Sequence, residues 1–172
     1  MNTTWYKQSE SKYRAGYRRM LKKTFRLPDG TVADYDIKDE GRPVCVLALT
    51  PKREVILAQQ FRPGPEQMLL ELPGGWVEDS DQPEQIIRQE LLEETGYVGD
   101  VQFVGTNYHC AYSNALRHNY VATNCQRVQA PAPGEFIEVV EMPLPEFRVY
   151  LRSGRLTNVD CAYMGLEFLG LL

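Results

Sequence analysis

Histidine is nearly absent from this chain, with 2 in 172 residues. The 4 cysteines stand far apart, at Cys45, Cys110, Cys125 and Cys161, and none forms a Cys-x-x-Cys pair. Zinc sites need clustered thiolate and imidazole ligands, so this scarcity argues against one. The scattered thiols are expected to be free and buried, as in a reducing cytoplasm. A basic surplus is missing too: 19 Lys and Arg against 23 Asp and Glu leave a net charge of −4. Nucleic-acid-binding domains carry a basic face, so bulk nucleic-acid binding is not expected. No stretch approaches the ~18 apolar residues of a membrane span, and the polar N-terminus has no apolar segment of a secretory leader. The expectation is a cytoplasmic protein with no membrane partner. There is no internal repeat. What is present is a chain of 43% hydrophobic residues, enough for one sizeable core, with little room for a second domain.

The most informative stretch runs from Gly74 to Tyr97. A glycine pair leads into a turn and then a helix that starts over Asp81-Gln82-Pro83-Glu84. Asp81 is expected to cap it, Glu84 to complete a capping box, and Pro83 to occupy the first turn, where a missing N–H is no loss. Gly96 ends it in the left-handed region. Glu90, Glu93 and Glu94 fall in one sector at about 100° per residue. Like charges at this spacing cost a helix a few tenths of a kcal/mol per pair, and Arg88 projects away from them. A solvated acidic face is the plainer reading of such a run. A hard divalent cation is the functional one, since Mg²⁺ prefers oxygen ligands and binds one or two carboxylates together with substrate phosphates. The glycine turn just ahead favours the cation.

At these residues the chain resembles the Nudix hydrolase family. That family's pattern is a glycine, five residues, a glutamate, seven residues, then Arg-Glu-apolar-x-Glu-Glu-x-Gly-apolar. Gly75 opens it here and Tyr97 closes it, with seven of the nine specified positions matched and the spacing intact. Asp81 stands where the family has glutamate, and Gln89 where it has arginine. In the family that Arg–Glu pair braces the loop, and an Asp81–Gln89 hydrogen bond is the expected substitute. The resemblance implies Mg²⁺, with Mn²⁺ as the alternative ion, held by Glu90, Glu93, Glu94 and the Gly74 carbonyl.

Upstream, Met1 to Ser11 is polar and expected to be poorly ordered, apart from Trp5 and Tyr6. Lys12 to Arg26 carries seven basic residues interleaved with Tyr17, Met20, Leu21 and Phe25. A turn at Leu27 to Thr31 returns the chain through Val32 to Ile37, so a cationic hairpin is expected. Such a hairpin is most simply a protected sheet edge. In the ADP-ribose pyrophosphatase branch, which this layout resembles, an N-terminal sheet takes part in dimerisation, and a homodimer is expected on that ground alone. The expected division is residues 1–42 as tail and hairpin extension and 43–172 as the Nudix domain. Val44 to Thr50 reads as a buried strand, and Val55 to Gln60 as its neighbour. Gln60-Phe61-Arg62 looks like the branch's Gln-Tyr-Arg segment, so Arg62 is a candidate for holding a diphosphate, where its fork of donors matches phosphate oxygens. Leu70-Glu71-Leu72-Pro73-Gly74-Gly75 is close to the family's approach to the box, with Glu71 as a supporting or substrate-contacting carboxylate.

Beyond the box, Val101 to Tyr108 and Asn119 to Thr123 read as strands joined by a loop over 109–116. Members specific for ADP-ribose usually carry a proline there, where this chain has Ala111-Tyr112-Ser113. Tyr112 is a candidate to stack on a base or ribose. Residues 126–134 form a Pro-rich loop leading to Glu135-Phe136-Ile137-Glu138-Val139, which matches a segment of related enzymes. Glu135, preferred over Glu138, is the candidate general base. Helices are expected over 144–151 and 159–171. The fold implied is an α/β Nudix fold, a mixed sheet between helices in an α/β/α sandwich, with an additional N-terminal antiparallel sheet. The implied reaction is Mg²⁺-dependent hydrolysis of the diphosphate bond in a nucleoside diphosphate linked to another moiety, ADP-ribose or a nucleotide sugar. The catalytic candidates are Glu93, Glu94 and Glu135; Arg62, Glu71 and Tyr112 are the substrate-binding ones. A nucleoside-triphosphate pyrophosphatase and a catalytically weakened nucleotide-binding module are the rival readings.

Overall fold

An apolar run such as Val44 to Leu49 is stable only where both faces of its strand are covered, and that requirement organises the larger part of the molecule. The computed structural model describes every residue except Met1, Asn2, Asp79 and Glu135. The chain forms two compact units, one of residues 1–41 with 108–116 and the other of residues 42–107 with 117–172.

In the first unit, β1 (Tyr6–Ala15), β2 (Arg18–Arg26) and β3 (Val32–Lys38) make an antiparallel meander in that order. Most of the segment expected to be a loose tail is therefore strand: Tyr6 pairs with Arg26 and Ala15 with Arg18. Polarity misled here, because β1 is exposed along its whole length and needs only a neighbour's backbone. Gly16, at φ +64°, makes the tight turn that divides the basic stretch in two. The expected turn at 27–31 is present, with Asp29 Oδ1 accepting from the Thr31 amide at 2.9 Å. Trp5, Phe25 and Tyr35 form an aromatic group with centroids 6.0–6.2 Å apart. Residues 108–116 meet the end of β3, where the Lys38 amide donates to the Tyr112 carbonyl at 2.9 Å.

The second unit holds β4 (Arg42–Leu49), β5 (Glu54–Arg62), β6 (Gln67–Glu71), β7 (Gly74–Val77), α1 (Pro83–Thr95), β8 (Tyr97–Tyr108), β9 (Leu116–Arg127), β10 (Glu138–Pro143), α2 (Leu144–Arg152) and α3 (Val159–Phe168). Its sheet runs β10-β5-β4-β9-β8, with β4 and β9 parallel. Alternation along β4 serves two cores. Val44, Val46 and Ala48 join Ile87 and Leu91 of α1 on one face, while Cys45, Leu47 and Leu49 join Phe147 of α2 and Leu166 of α3 on the other. This is the mixed sheet between helices that the sequence implied. All four cysteines are free; Cys45, Cys125 and Cys161 are buried as expected, whereas Cys110 is exposed.

A fork between β4 and β5 positions the glycine pair. β4 and β5 pair with each other only at Ala48–Ile56 and Leu49–Val55, and then diverge. The stretch 67–77 fills the fork, first as β6 on β5, then as β7 on β4. Pro73 marks the crossing, and its carbonyl accepts from the Val46 amide at 3.0 Å. The glycine pair is thus strand rather than turn, built into the sheet beneath α1.

Candidate active site

Helix α1 ends as its sequence dictates, with Gly96 at φ 78° and its amide donating to the Leu92 carbonyl. Its start differs. The N-cap is Gln82, Pro83 is the first helical residue, and no side chain caps the helix. The Asp81 carboxylate instead accepts from the Ser80 hydroxyl at 3.2 Å. Nor do Asp81 and Gln89 form the expected pair. Gln89 donates along the helix to Glu93 Oε1 at 2.8 Å, a separation of one turn that satisfies both side chains locally. The loop is held from elsewhere: Arg42 Nη2, at the head of β4, donates to the carbonyls of Glu78 at 2.7 Å and Asp81 at 3.1 Å. Arg88 projects away from the carboxylates, to Glu84 and to the carbonyls of Gly99 and Val101.

The three glutamates differ in what holds them. Glu94 is only 8% exposed, and its Oε2 accepts from the Gly74 amide at 3.0 Å. Glu90 lies against Gly75 so closely that a Cβ there would come within 2.0 Å of Oε1. Gly74 is equally constrained, since a Cβ would meet the Val44 carbonyl at 2.3 Å. Both glycines are therefore required by space, which is why the pair stands at this crossing. Glu93 carries the Gln89 bond, and its carbonyl receives the Ala132 amide at 2.7 Å. The Gly96 carbonyl accepts from Val128 and Gln129, and so the Pro-rich loop is tied to the C-terminal end of α1. Glu135, the candidate general base, lies outside the described residues. Glu138 is exposed and pairs with Gln59 across β10 and β5.

Arg62 and Glu71 come together across β5 and β6. Glu71 is 3% exposed; its Oε2 accepts from Arg62 Nε at 2.6 Å, from Arg62 Nη2 and from Gln60 Nε2, and its Oε1 from the Thr157 hydroxyl at 2.7 Å. A carboxylate with so many donors is a holder of other side chains, and the one it holds best, Arg62, keeps 45% of its side chain exposed. Tyr112 belongs to the other unit, where it is 59% exposed. On the α1 face of the sheet, burial first and the Arg42 charge second lower the pKa of His118. Burial, then the hydrogen bond to Glu141, pushes the Tyr97 hydroxyl up to about 12.

Among the described residues, no group of three or more His, Cys, Asp and Glu side chains stands drawn together at metal-ligand spacing. The donor set nonetheless fits a hard cation. Glu90 and Glu94, one turn apart, are pressed onto Gly75 and Gly74, with Glu93 beside them, and all three donate oxygen, the preference of Mg²⁺ and Mn²⁺. Sequence reasoning missed Arg42, Gln60 and Thr157. A lone arginine ahead of an apolar run carries no signal, and Thr157 reaches Glu71 from 86 positions away.

A sheet flanked by helices, a glycine crossing beneath a carboxylate-bearing helix and a Pro-rich loop clamped to its end define a class. The family model "NUDIX domain" matches residues 39–158, and the chain belongs to the Nudix family as one of its hydrolases. It is 28% identical over 142 residues to the ADP-ribose pyrophosphatase of Bacillus subtilis (strain 168), covering 80% of this chain and 77% of that protein. With the GDP-mannose pyrophosphatase of Cronobacter sakazakii (strain ATCC BAA-894) it shares 34% identity over 141 residues, 73% of each chain. A crystal structure of an ADP compounds hydrolase superposes with a TM-score of 0.74 at 15% identity, covering 96% of this chain and 98% of that one, and so shares the fold.

Proposed function

We propose that the protein hydrolyses the diphosphate bond of a nucleoside diphosphate linked to a sugar, ADP-ribose or a nucleotide sugar, with Mg²⁺ or Mn²⁺ as cofactor. The observation that carries this reading is the seating of Glu94 on the Gly74 amide and of Glu90 on Gly75. Two carboxylates fixed to a strand crossing are preorganised, and preorganised charge costs no rearrangement when the reaction occurs. Glu90, Glu93, Glu94 and the Gly74 carbonyl would hold the cation. When bound, such an ion neutralises a diphosphate and lowers the pKa of water. Arg62, steadied by Glu71, presents donors suited to a phosphate oxygen. Glu135, on the segment that follows the loop anchored at Glu93, is proposed to take the proton from the attacking water. Two names among the relatives, ADP-ribose pyrophosphatase and GDP-mannose pyrophosphatase, support the substrate class. Tyr112 is carried as a proposed base or ribose contact. A homodimer in the cytoplasm completes the reading on the family resemblance, and sedimentation tests the dimer.

The experiment is incubation with Mg²⁺ of ADP-ribose, GDP-mannose, other nucleotide sugars, dinucleotide polyphosphates and nucleoside triphosphates, with products separated by ion exchange. A nucleoside monophosphate and a sugar phosphate are expected from one of the first three. Pyrophosphate released from triphosphates alone, or saturable binding without cleavage, contradicts the reading.

A further inference from the structure

The family's loop brace is an Arg–Glu pair, and this chain has neither residue, having Asp81 and Gln89. The two do not replace it with each other, because Gln89 is committed to Glu93 and Asp81 to Ser80. Helix α1 also begins without a side-chain cap. A loop that enters a metal-bearing helix with neither brace nor cap leaves the helix start to the packing of Ile86, Ile87 and Leu91 and to the bonds of Arg88 with the Gly99 and Val101 carbonyls. One residue makes up for this. Arg42 pairs with Val77, so it stands at the last rung of the β4–β7 ladder, where the loop leaves the sheet. From there a single guanidinium nitrogen binds the Glu78 and Asp81 carbonyls, the two ends of the turn closed by the Asp81 amide on Glu78 at 3.1 Å.

We propose that Arg42 is a positioning residue that substitutes, from the sheet, for the brace the family builds between loop and helix. It ties the loop to the strand that carries the glycine crossing, and so sets how Glu90 and Glu94 meet Gly75 and Gly74. Gln89, relieved of that duty, orients Glu93 instead. The guanidinium suits the task because its donors spread in a fixed plane and it stays charged at every working pH. The inference rests on the reading of α1 as the metal-bearing helix, and its test does not depend on turnover alone.

Four variants decide it: Arg42→Met, which keeps an apolar stem without donors; Arg42→Lys; Asp81→Glu with Gln89→Arg; and Arg42→Met added to that pair. The first readout is amide hydrogen exchange over residues 78–86 in metal-free protein. Arg42→Met should exchange about tenfold faster there, while the second half of α1 keeps its protection, as local opening allows. The second readout is kinetic. Loss of a group that orients ligands typically costs about 10–100-fold in metal affinity or activity, so the Mg²⁺ half-saturation should rise and kcat fall within that range, with substrate KM within about twofold. Arg42→Lys, able to serve one carbonyl, should fall between. The triple variant, which rebuilds the family's pair, should recover most of the loss, whereas Asp81→Glu with Gln89→Arg should bring no gain when Arg42 is present. Wild-type exchange in Arg42→Met overturns the assignment, as does an equal gain from the rebuilt pair in both backgrounds. If Arg42→Met does not fold, wild-type exchange and Mg²⁺ half-saturation in Arg42→Lys overturn it. Should the wild type hydrolyse no diphosphate, the exchange experiment still decides the role of Arg42 while the proposed reaction fails separately.

Discussion

Replacing Gly75 by alanine separates the site from the fold more sharply than any other single change. The residue is not among the glycines at positive φ, so alanine meets no backbone objection. Space objects instead: the new Cβ would lie 2.0 Å from Glu90 Oε1, 2.3 Å from its Cδ and 2.9 Å from its Cγ. Real contacts of this kind stay above 3.0 Å, so the carboxylate must retreat by about 1 Å or swing to another rotamer. The atoms in the way belong to a flexible side chain, and the stability cost is small. A strained rotamer costs about 0.5–1.5 kcal/mol, and alanine returns about 0.4–1 kcal/mol by restricting the unfolded chain. Activity has no such offset, because a misplacement of about 1 Å can cost about 10²-fold in rate. Gly75→Ala is therefore expected to melt within a few degrees of wild type and to turn over about a hundredfold more slowly. The assay pairs thermal denaturation by circular dichroism with Mg²⁺-dependent release of sugar phosphate. Adding Gly75→Ala to Glu90→Ala should cost nothing further, since the clash is gone. A folded Gly75→Ala protein with turnover within threefold of wild type refutes the placement of Glu90 in the site.

Other perturbations test neighbouring parts. Glu94→Gln keeps an oxygen for the Gly74 amide, so the fold should survive while turnover is lost; near-normal turnover would remove Glu94 from the metal set. Gly74→Ala drives a Cβ to 2.3 Å from the Val44 carbonyl, a backbone atom that cannot swing aside, and denaturant titration should show a loss of several kcal/mol typical of overpacking and strain. Glu71→Ala strips the acceptor from Arg62, Gln60 and Thr157. Hydrogen bonds to charged groups contribute about 1.5–3 kcal/mol, reduced here because Arg62 is partly solvated, and a loss of about 2 kcal/mol with a raised substrate KM is expected; an unchanged KM would show that Arg62 does not serve the substrate. His118 titrates below its ordinary value in the fold. A depressed histidine stabilises the fold above its unfolded pKa, and that contribution is lost as pH falls from about 6.5 through the folded value. The melting temperature of His118→Gln should thus decline less than that of wild type between about pH 6.5 and 5, and parallel curves would contradict the shift.

The sequence made the helix and its carboxylates legible because both obey local rules. The i,i+4 spacing of Glu90 and Glu94, Pro83 in the first turn and Gly96 at the stop each act within a few residues, and the chain folds there as read. The burial of β4 was equally legible in its continuous apolar run, although the sequence implied one core where the strand serves two. What failed was whatever depends on partners distant in sequence. β1 looked like a polar tail because an exposed strand buries nothing and is held by its neighbour's backbone. β6 and β7 are too short to show a period, and they exist because β4 and β5 diverge. Analogy with the family pairs Asp81 with Gln89, but Gln89 finds Glu93 one turn away, and the loop is served by Arg42 from 36 residues upstream of Glu78. Glu71 read as a candidate for substrate contact, yet burial surrounds it with three donors' side chains and makes it the support of Arg62.

The central claim is that the carboxylates of α1 perform metal-assisted hydrolysis of a diphosphate. Its most direct test is turnover of the best substrate of the panel, first in chelator and then in added Mg²⁺, for wild type and Glu94→Gln side by side. No cleavage in chelator, recovery in wild type alone and matching melting curves are the expected results. Cleavage that persists in chelator, or returns with Mg²⁺ in the variant, would contradict the claim.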